Sequence, residues 1–472
     1  MIIEVIRRGE TLWALARRYG ISVESIVRAN DIPDPNRLVV GQALVVPTTT
    51  RFYIVKAGDT LWEIANRHAV SLPSIIRANN IQNAAQIFPG QRLFIPISSY
   101  PYTVRPGDTL WRIAQLNGTS VRAIQQVNRI QDPNLLYPGQ TLVMPEGSRR
   151  RIETNGYLTA LGRGPEIIGR HGRDLTYLSP FSYRVRTDGT LVPLNDTAVL
   201  EAARAQNVTP MMVITNTRDS GFSSDVAHAI LTSTAVQDRV ISNVLSTMRT
   251  KGYAGLNIDF EYVYPDDRDN YNAFLQRVVS RLHAANYFVS TALAPKVSAA
   301  MTGLLYAAHD YPTHGRLADF VVLMTYEWGW AGGPPRAISP IPEMRRVLDY
   351  AVTAIPRDKI LMGFSTYGRD WPLPFVAGET RATSVSEQQA VNRAARYNVN
   401  IAFDPISHAP HFRYRDENGR MHEVWYEDAR TAAAKYQLVK DYQFRGASYW
   451  VLDFPFPQNW LILRENFTIR KR

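Results

Sequence analysis

The sequence contains no cysteine among its 472 residues. Disulfide bonds and thiolate metal sites are therefore excluded. No stretch approaches the roughly 18 consecutive apolar residues that a membrane-spanning helix needs, so we expect no membrane span. The opening residues Met1–Arg8 lack the basic segment, apolar run and small-residue cleavage site of a secretory signal, and we expect none.

Acidic residues are the scarcer charge, with 42 Asp and Glu against 53 Lys and Arg and a formal net charge of +11. A basic surface attracts anionic polymers over long range. Nucleic acid is one such polymer, but no recognised nucleic-acid-binding motif accompanies the charge, so we expect no nucleic acid partner. An anionic cell wall or spore layer fits the same charge.

A six-residue motif recurs with a period of 49 residues in the first third of the chain. It occupies Arg8–Trp13, Ala57–Trp62 and Pro106–Trp111. The positions that keep the same period include Asn30, Asn79 and Asn128, and the closing prolines Pro47, Pro96 and Pro145. Each repeat predicts the order strand, helix, helix, strand, with the second helix of the middle repeat around residues 72–78.

Each repeat resembles the LysM module, over residues 2–47, 52–96 and 101–145. The resemblance implies that glycans containing N-acetylglucosamine bind between the Gly-Asp-Thr loop and the loop before the closing strand. The residues that it places beside the ligand are Gly9, Thr11, Gly58, Asp59, Thr60, Ile87, Phe88, Gly107, Asp108 and Thr109. Two simpler interpretations stay open, because Thr60 can serve only as a helix cap and Trp13, Trp62 and Trp111 are expected in the core. Several weak sites on one chain raise avidity for a polymer.

Strand-like and helical segments alternate from residue 151 to 472, which predicts a single α/β domain, a parallel (β/α)8 TIM barrel. The predicted barrel strands are 153–158, 177–181, 209–216, 255–261, 288–293, 320–326, 360–367 and 448–452. The long interval between the seventh and eighth strands predicts a small α+β insertion at about 370–430. Within it, two β-rich segments flank the turn at 417–420.

The stretch Gly255–Glu261 carries the acidic residues that matter most. Side chains alternate along a strand, so Asn257, Asp259 and Glu261 share one face and lie about 7 Å apart. The intervening apolar residues then pack against covering helices. A solvated strand edge or a helix cap is the alternative interpretation of these carboxylates.

Gly255, Asp259 and Glu261 match the strand-four signature of glycoside hydrolase family 18, Asp-Gly-x-Asp-x-Asp-x-Glu, which this chain therefore resembles. Ala254 and Asn257 depart from that signature. A signature with Asn at the position of Asn257 resembles that of the spore-cortex glycosidases of endospore-forming bacteria, which also carry wall-binding repeats. Two further motifs fit the family in the correct order: Met324–Glu327 at the end of the sixth strand, with Glu327 where the family has Asp, and Ser448–Trp450 at the end of the eighth.

The resemblance implies a retaining, substrate-assisted mechanism in which Glu261 is the general acid. Asp259 and Tyr326 would hold the 2-acetamido group of the sugar, and Trp450 would lie beneath the ring. The other substrate-binding candidates are Asn257, Glu327, Trp328, Trp425 and Glu427. We expect no metal and no cofactor, because the pair His408 and His411 lacks a third ligand with suitable spacing.

The sequence therefore predicts a monomeric N-acetylglucosaminidase that hydrolyses spore-cortex peptidoglycan or its fragments and is anchored by LysM modules. Its expected location is the coat and cortex boundary of a bacterial spore, without a classical signal peptide. A LysM-bearing chitinase, extracellular or associated with the cell wall, is the alternative enzyme. A non-catalytic glycan-binding spore coat protein is the alternative from another class.

Overall fold

The structure is a computed structural model that describes residues 1–47, 52–67, 72, 75–76, 79, 81, 83, 86–95, 101–145, 149–219 and 221–472. The chain forms two compact units. One unit comprises Met1–Arg151 with Pro457–Thr468, and the other comprises Ile152–Phe456 with Ile469–Arg472. Residues 457–468 fall within the predicted barrel domain 151–472, but they cluster with the first unit. None of the helices in these described ranges is both long and apolar enough to cross a bilayer.

The first unit contains three small modules, each built on a two-stranded antiparallel sheet. Their elements are β1 (Ile2–Val5), α1 (Leu12–Tyr19), α2 (Val23–Asn30), β2 (Ala43–Val46), β3 (Phe52–Ile54), α3 (Leu61–Arg67), β4 (Arg92–Phe94), β5 (Pro101–Thr103), α4 (Leu110–Leu116), α5 (Val121–Asn128) and β6 (Thr141–Val143). Most of the second helix predicted around residues 72–78 lies outside the described residues.

The repeated Leu-Trp pair shows how each module forms its core. Leu12, Leu61 and Leu110 are buried against the sheet. The tryptophans that follow, Trp13, Trp62 and Trp111, are 64%, 64% and 67% exposed. Their predicted place in the core is wrong, because successive residues of a helix point about 100° apart and only the leucine faces the sheet.

The remaining strands and helices follow residue 149. The strands are β7 (Arg150–Leu158), β8 (Tyr177–Pro180), β9 (Tyr183–Arg184), β10 (Thr209–Thr215), β11 (Thr217–Arg218), β12 (Gly221–Phe222), β13 (Gly255–Asp259), β14 (Phe288–Leu293), β15 (Phe320–Leu323), β16 (Ile360–Ser365), β17 (Gly368–Pro372), β18 (Thr383–Val385), β19 (Ala402–Asp404), β20 (Ala409–Arg415), β21 (Met421–Trp425), β22 (Gly446–Trp450) and β23 (Phe467–Ile469). The helices are α6 (Gly164–His171), α7 (Thr197–Ala205), α8 (Ser224–Leu231), α9 (Thr234–Lys251), α10 (Arg268–His283), α11 (Tyr311–Leu317), α12 (Ile341–Ala354), α13 (Glu387–Arg396), α14 (Ala429–Asp441) and α15 (Pro457–Asn466).

The second unit is a closed parallel barrel. Its strands follow the ring order β7, β8, β10, β13, β14, β15, β16, β22, and β22 pairs with β7 to close it. Each of the eight predicted strands corresponds to one strand of this ring, so the predicted fold class is confirmed. All eight strands pair in parallel, so their carboxyl ends lie at one mouth, and helices lie between most successive strands.

Strand β13 is buried on both faces, as parallel barrel strands are. Leu256, Ile258 and Phe260 pack in one apolar cluster with residues of α9 and α10, as the sequence predicts. Residue 255 has room only for glycine, because a Cβ there would lie 2.1 Å from the ring of Phe288 on β14. The strand therefore sits tightly against the next one.

The insertion lies between β16 and β22. It is a five-stranded antiparallel sheet in the order β18, β17, β21, β20, β19, with α13 between β18 and β19. The hairpin of β20 and β21 turns at residues 416–420, where the sequence predicts a turn. Its first strand, β17, begins three residues after β16 and carries Arg369, whose side chain lines the main pocket.

The C-terminal helix α15 belongs to the first unit. The side-chain amide of Gln458 donates to Asn30 Oδ1 at 3.1 Å and to the Ala43 carbonyl at 2.9 Å. Strand β2 of the first module is buried at all four residues, whereas Thr141 and Val143 of the equivalent strand β6 are exposed. The first module is thus distinguished from the third by this helix packed upon it.

Candidate active site

Strand β13 ends earlier than the sequence predicts. The ladder of β13 stops at Asp259, so Glu261 lies two residues beyond the strand. Both carboxyl side chains line the same pocket at the mouth of the barrel. Their shared orientation follows from the alternation that the sequence indicates.

Two side chains hold the backbone between these carboxylates. Asn216, directly after β10, accepts from the Glu261 N–H at 3.0 Å and donates to the Glu261 carbonyl at 2.7 Å. On Phe260, the carbonyl oxygen lies 3.0 Å from His309 Nε2, while His309 Nδ1 accepts from the Ala294 N–H at 2.7 Å. This pattern requires a neutral imidazole with its proton on Nε2, and burial lowers the pKa of His309 to about 4.

Sequence reasoning missed both of these residues. Asn216 had a usable signal, because it stands at the carboxyl end of a barrel strand, where functional residues concentrate. His309 had none, since it lies in a connection outside the predicted strands and reaches Phe260 only through the fold.

Burial controls the protonation of the two carboxyl groups. It raises the pKa of Asp259 to about 7, and Asp259 Oδ1 is buried without a hydrogen-bond partner among the described residues. Burial, followed by the negative charges of Asp259 and Glu327, raises the pKa of Glu261 well above its usual value. Both causes favour the protonated form of Glu261, which is the form that a general acid requires.

The pocket has a volume of about 310 Å³. It is lined by Tyr157, Phe181, Phe222, Asp259, Glu261, Ala292, Pro295, Leu305, Tyr306, Met324, Tyr326, Glu327, Trp328, Arg369 and Trp450. The indole of Trp450 is held edge-on by Phe181 and Tyr157, with ring centroids 4.8 and 5.6 Å away. The buried phenol of Tyr326 has a strongly raised pKa, so it remains an O–H donor.

Six of the predicted site residues meet in this pocket, namely Asp259, Glu261, Tyr326, Glu327, Trp328 and Trp450. Glu327 adopts a left-handed φ of 67°. Its Oε1 accepts from Arg369 Nη2 at 2.8 Å and from the hydroxyl of Tyr367. Sequence reasoning missed Tyr367 and Arg369, although they follow the seventh barrel strand and could have been found by its position.

Three predicted substrate-binding residues do not line the pocket. Asn257 is fully buried beneath it and bonds to Tyr157 and Ser290. The indole N–H of Trp425 donates to a neighbouring carboxylate and its ring stacks on His411, with centroids 4.4 Å apart. Packing thus accounts for Trp425.

Glu427 is the third of these residues, and it lies in a buried polar cluster. Its Oε2 is 2.7 Å from Lys435 Nζ, and its Oε1 accepts from Ser365 at 2.9 Å. Both oxygens are therefore occupied. The predicted contact between Glu427 and a sugar does not fit this position.

The predicted glycan-binding loops of the modules use their polar side chains internally. Asp59 accepts from the Tyr53 hydroxyl at 2.6 Å and the Lys56 N–H at 2.7 Å, and Asp108 does the same in the third module. The threonines Thr11, Thr60 and Thr109 each cap a helix, accepting from the N–H three residues later. Thr60 thus caps its helix, and its contact with a glycan stays a prediction.

The predicted glycan-binding loops expose backbone groups and apolar side chains. The glycines Gly9, Gly58 and Gly107 have φ of 80°, 85° and 80°, which other residues rarely adopt. In the facing loop, Ile87 packs partly into the core. Phe88 and its counterpart Tyr137 are each 66% exposed, whereas the counterpart Val39 in the first module is 5% exposed.

The fold and this acidic pocket define a class of enzyme, the glycoside hydrolases built on a (β/α)8 barrel. The family model described as glycosyl hydrolases family 18 matches residues 177–454, and the LysM domain model matches 5–47, 53–96 and 102–145. The chain belongs to glycosyl hydrolase family 18 and carries three LysM modules.

More particular similarities cover the entire chain. It is 44% identical over 477 aligned residues to the cortical fragment-lytic enzyme of Bacillus subtilis (strain 168), which covers 100% of this chain and 99% of that protein. The crystal structure of the Bacillus megaterium QM B1551 spore cortex-lytic enzyme SleL matches with a TM-score of 0.80 and 37% identity, over 100% of this chain and 99% of that one. Its Bacillus cereus counterpart matches with a TM-score of 0.79 and 38% identity over the same shares.

Proposed function

We propose that this chain is a retaining, substrate-assisted N-acetylglucosaminidase that hydrolyses spore-cortex peptidoglycan or its fragments. The observation that carries the proposal is the pairing of the buried Asp259 with the half-buried Glu261, two carboxyls with raised pKa values, beside Tyr326 in a pocket bounded by Trp450. The full-length similarity to cortex-lytic enzymes supports the choice of polymer.

In the first step, Glu261 donates its proton to the glycosidic oxygen as the bond to the anomeric carbon breaks. The carbonyl oxygen of the 2-acetamido group forms the new bond to that carbon, which gives a cyclic oxazolinium ion. Asp259 accepts a hydrogen bond from the acetamide N–H and balances the positive charge, while Tyr326 donates to the carbonyl oxygen. The apolar face of the sugar lies on Trp450.

In the second step, water attacks the anomeric carbon and opens the oxazolinium ring. Glu261, now ionised, takes the proton from that water and is restored to its acid form. The substrate oxygen and the water attack from opposite faces in turn, so the configuration at the anomeric carbon is retained. No residue forms a covalent bond to the sugar.

The modules supply the attachment to the insoluble polymer. Phe88 and Tyr137 present exposed rings beside the glycine turns of the second and third modules, where a sugar can stack. Several such sites on one chain raise the local concentration of barrel and glycan. We place the enzyme, as a monomer, at the coat and cortex boundary of a spore.

Product analysis tests this proposal. The wild type, Glu261→Gln and the control Glu166→Gln, an exposed residue of α6, are incubated with cortex fragments, intact peptidoglycan and chitin oligomers, and products are read by mass spectrometry. We expect new N-acetylglucosamine reducing ends from cortex fragments with the wild type and the control only. Faster cleavage of chitin would favour a chitinase. Binding to the wall polymer without cleavage of any substrate would show a glycan-binding protein.

A further inference from the structure

The first and third modules carry the same asparagine at the end of their second helix. Asn30 ends α2, donates to the Val45 carbonyl at 2.8 Å and accepts from the Val45 N–H at 2.7 Å. Asn128 ends α5 in the third module, donates to the Val143 carbonyl at 2.7 Å and accepts from the Val143 N–H at 2.7 Å. The asparagine therefore ties the second helix to the closing strand in the same way in both modules.

In the first module, helix α15 covers the surface around this asparagine. The helix packs against α2 and β2, and Gln458 donates to Asn30 Oδ1 and to the Ala43 carbonyl. Ala43 and Val45 alternate with the core residues of β2, so their side chains point away from the module core. They are nevertheless 1% and 0% exposed. Because the module core does not bury them, the covering helix does.

The equivalent surface of the third module is open. We define the asparagine face as the asparagine, the residue before it and two residues of the closing strand, namely Ala29, Asn30, Ala43 and Val45 in the first module and Val127, Asn128, Thr141 and Val143 in the third. Val127 is 47% and Val143 is 40% exposed, whereas Ala29 and Val45 are 7% and 0% exposed. The apolar side chains that a helix covers in one module therefore face solvent in the other.

The polar atom of this face is also left over in the third module. A side-chain carbonyl oxygen has two lone pairs, and Asn30 uses them for Val45 and Gln458. Among the described residues, Asn128 Oδ1 accepts from Val143 alone. The third module thus offers one acceptor within an apolar surface, at the position where the first module receives Gln458.

We propose that the asparagine face of the third module binds an amphipathic helix of a partner protein. The apolar stripe of that helix lies over Val127 and Val143, and a glutamine or asparagine side chain donates to Asn128 Oδ1, as Gln458 does to Asn30. An amphipathic helix laid on an apolar surface is a recurring mode of peptide recognition. The proposal concerns a protein partner and does not depend on the glycosidase function.

The composition of the face favours a helix over a glycan. A sugar presents many hydroxyl groups, which need several converging polar partners, and it stacks best on an aromatic ring. The face has no aromatic residue. Its asparagine has already given both amide hydrogens to the Ile124 and Val143 carbonyls, at 2.9 and 2.7 Å. One directional bond within an apolar surface is what α15 makes use of in the first module.

Titration with a defined helix tests the face. A fluorescent peptide of Pro457–Thr468, the segment that contains α15, is titrated with the full chain, and its anisotropy is followed. We expect one peptide to bind per chain, about tenfold more weakly to Val127→Asp and to Val143→Asp, because each buries a charge under the helix. Leu116→Asp changes an exposed apolar residue of the third module outside the face and is the matched control. A peptide with Gln458→Ala should bind about fivefold more weakly.

Each alternative occupant has its own signature. Equal binding to the wild type and to Val127→Asp would place the peptide elsewhere, for example on the first module in exchange for α15, and would overturn the proposal, as would no binding at all. A dimer of the wild type that dissociates in Val127→Asp, measured by sedimentation velocity, would assign the face to a second copy of the chain. Reduced adsorption of Val127→Asp to cortex peptidoglycan, in the Glu261→Gln background, would assign it to the glycan. Either of these results would overturn a helix partner.

Discussion

The hydroxyl of Tyr157 donates to Oδ1 of Asn257 at 3.0 Å, directly beneath the catalytic carboxyls. The other end of the amide donates to Ser290 at 2.9 Å. Both ends of the amide are thus turned to side chains of other strands. Asn257 therefore acts as a neutral bridge across the barrel, at a position where its family usually has a third carboxylate.

We expect Asn257→Asp to shift the pH–rate profile to higher pH, by about one unit. A new negative charge would raise the pKa values of Asp259 and Glu261 further, and the lost donor to Ser290 would lower stability. The profile of kcat/KM against pH measures the shift. Ser290→Ala removes one partner of the amide without adding charge, so its profile should match the wild type. An unchanged profile in Asn257→Asp would contradict the argument.

Asp259→Asn should stabilise the fold at alkaline pH while it impairs catalysis. The pKa of Asp259 is about 7 in the native state against roughly 3.9 in unfolded chains, so the native state binds more protons over that interval. The free energy of unfolding contributed by this group therefore falls as pH rises from about 4 to about 7.

Removal of the carboxyl should thus raise the stability of the barrel at pH 8 by roughly 1–3 kcal/mol, with a gain that shrinks towards pH 4. Calorimetric unfolding at several pH values measures it. Asp266→Asn, at an exposed position, serves as the control. Equal stability of Asp259→Asn and the wild type at pH 8 would count against a raised pKa.

Asn216→Ala should lower kcat about 10- to 100-fold with little change in KM. The substitution frees both backbone groups of Glu261 and lets the acid move relative to the glycosidic oxygen, and misplacement of about 1 Å has costs of this size. Steady-state kinetics at saturating substrate measure the loss. Asn243→Ala also removes an amide bonded to a carbonyl, but away from the pocket, and should leave kcat intact. A kcat equal to that of the wild type in Asn216→Ala would show that the two hydrogen bonds from Asn216 to the Glu261 backbone are not needed for catalysis.

Phe88→Ala and Tyr137→Ala should each weaken adsorption to insoluble cortex peptidoglycan several-fold, because each removes an exposed ring beside a glycine turn. Val39→Ala should instead reduce thermal stability, since Val39 is buried. Binding isotherms in the Glu261→Gln background measure adsorption without digestion of the polymer. Val127→Ala, an exposed position on a module helix, is the control. An equal loss of adsorption in Val39→Ala and Phe88→Ala would contradict the inferred difference between the first module and the second.

The barrel and its acid pair were predictable because they rest on local periodicity. Alternation along β13 places Asp259 and Glu261 on one face, and the barrel rule places them at the mouth. The hydrogen bond between His309 and the Phe260 carbonyl was not predictable, since the two residues are 49 positions apart and meet only through packing. The ion pair of Glu427 was not predictable for a different reason: its partner Lys435 is close in sequence, but the sequence does not show that this lysine lies on the buried face of the next helix.

The bond between Gln458 and Asn30 has a consequence for the order in which the protein is completed. The two residues are 428 positions apart, and a ribosome adds about 5–20 residues per second. The first module therefore waits roughly 20 to 90 s for the helix that covers Asn30 and Ala43. A module that is translated long before its covering helix is thus completed only after that helix has been made.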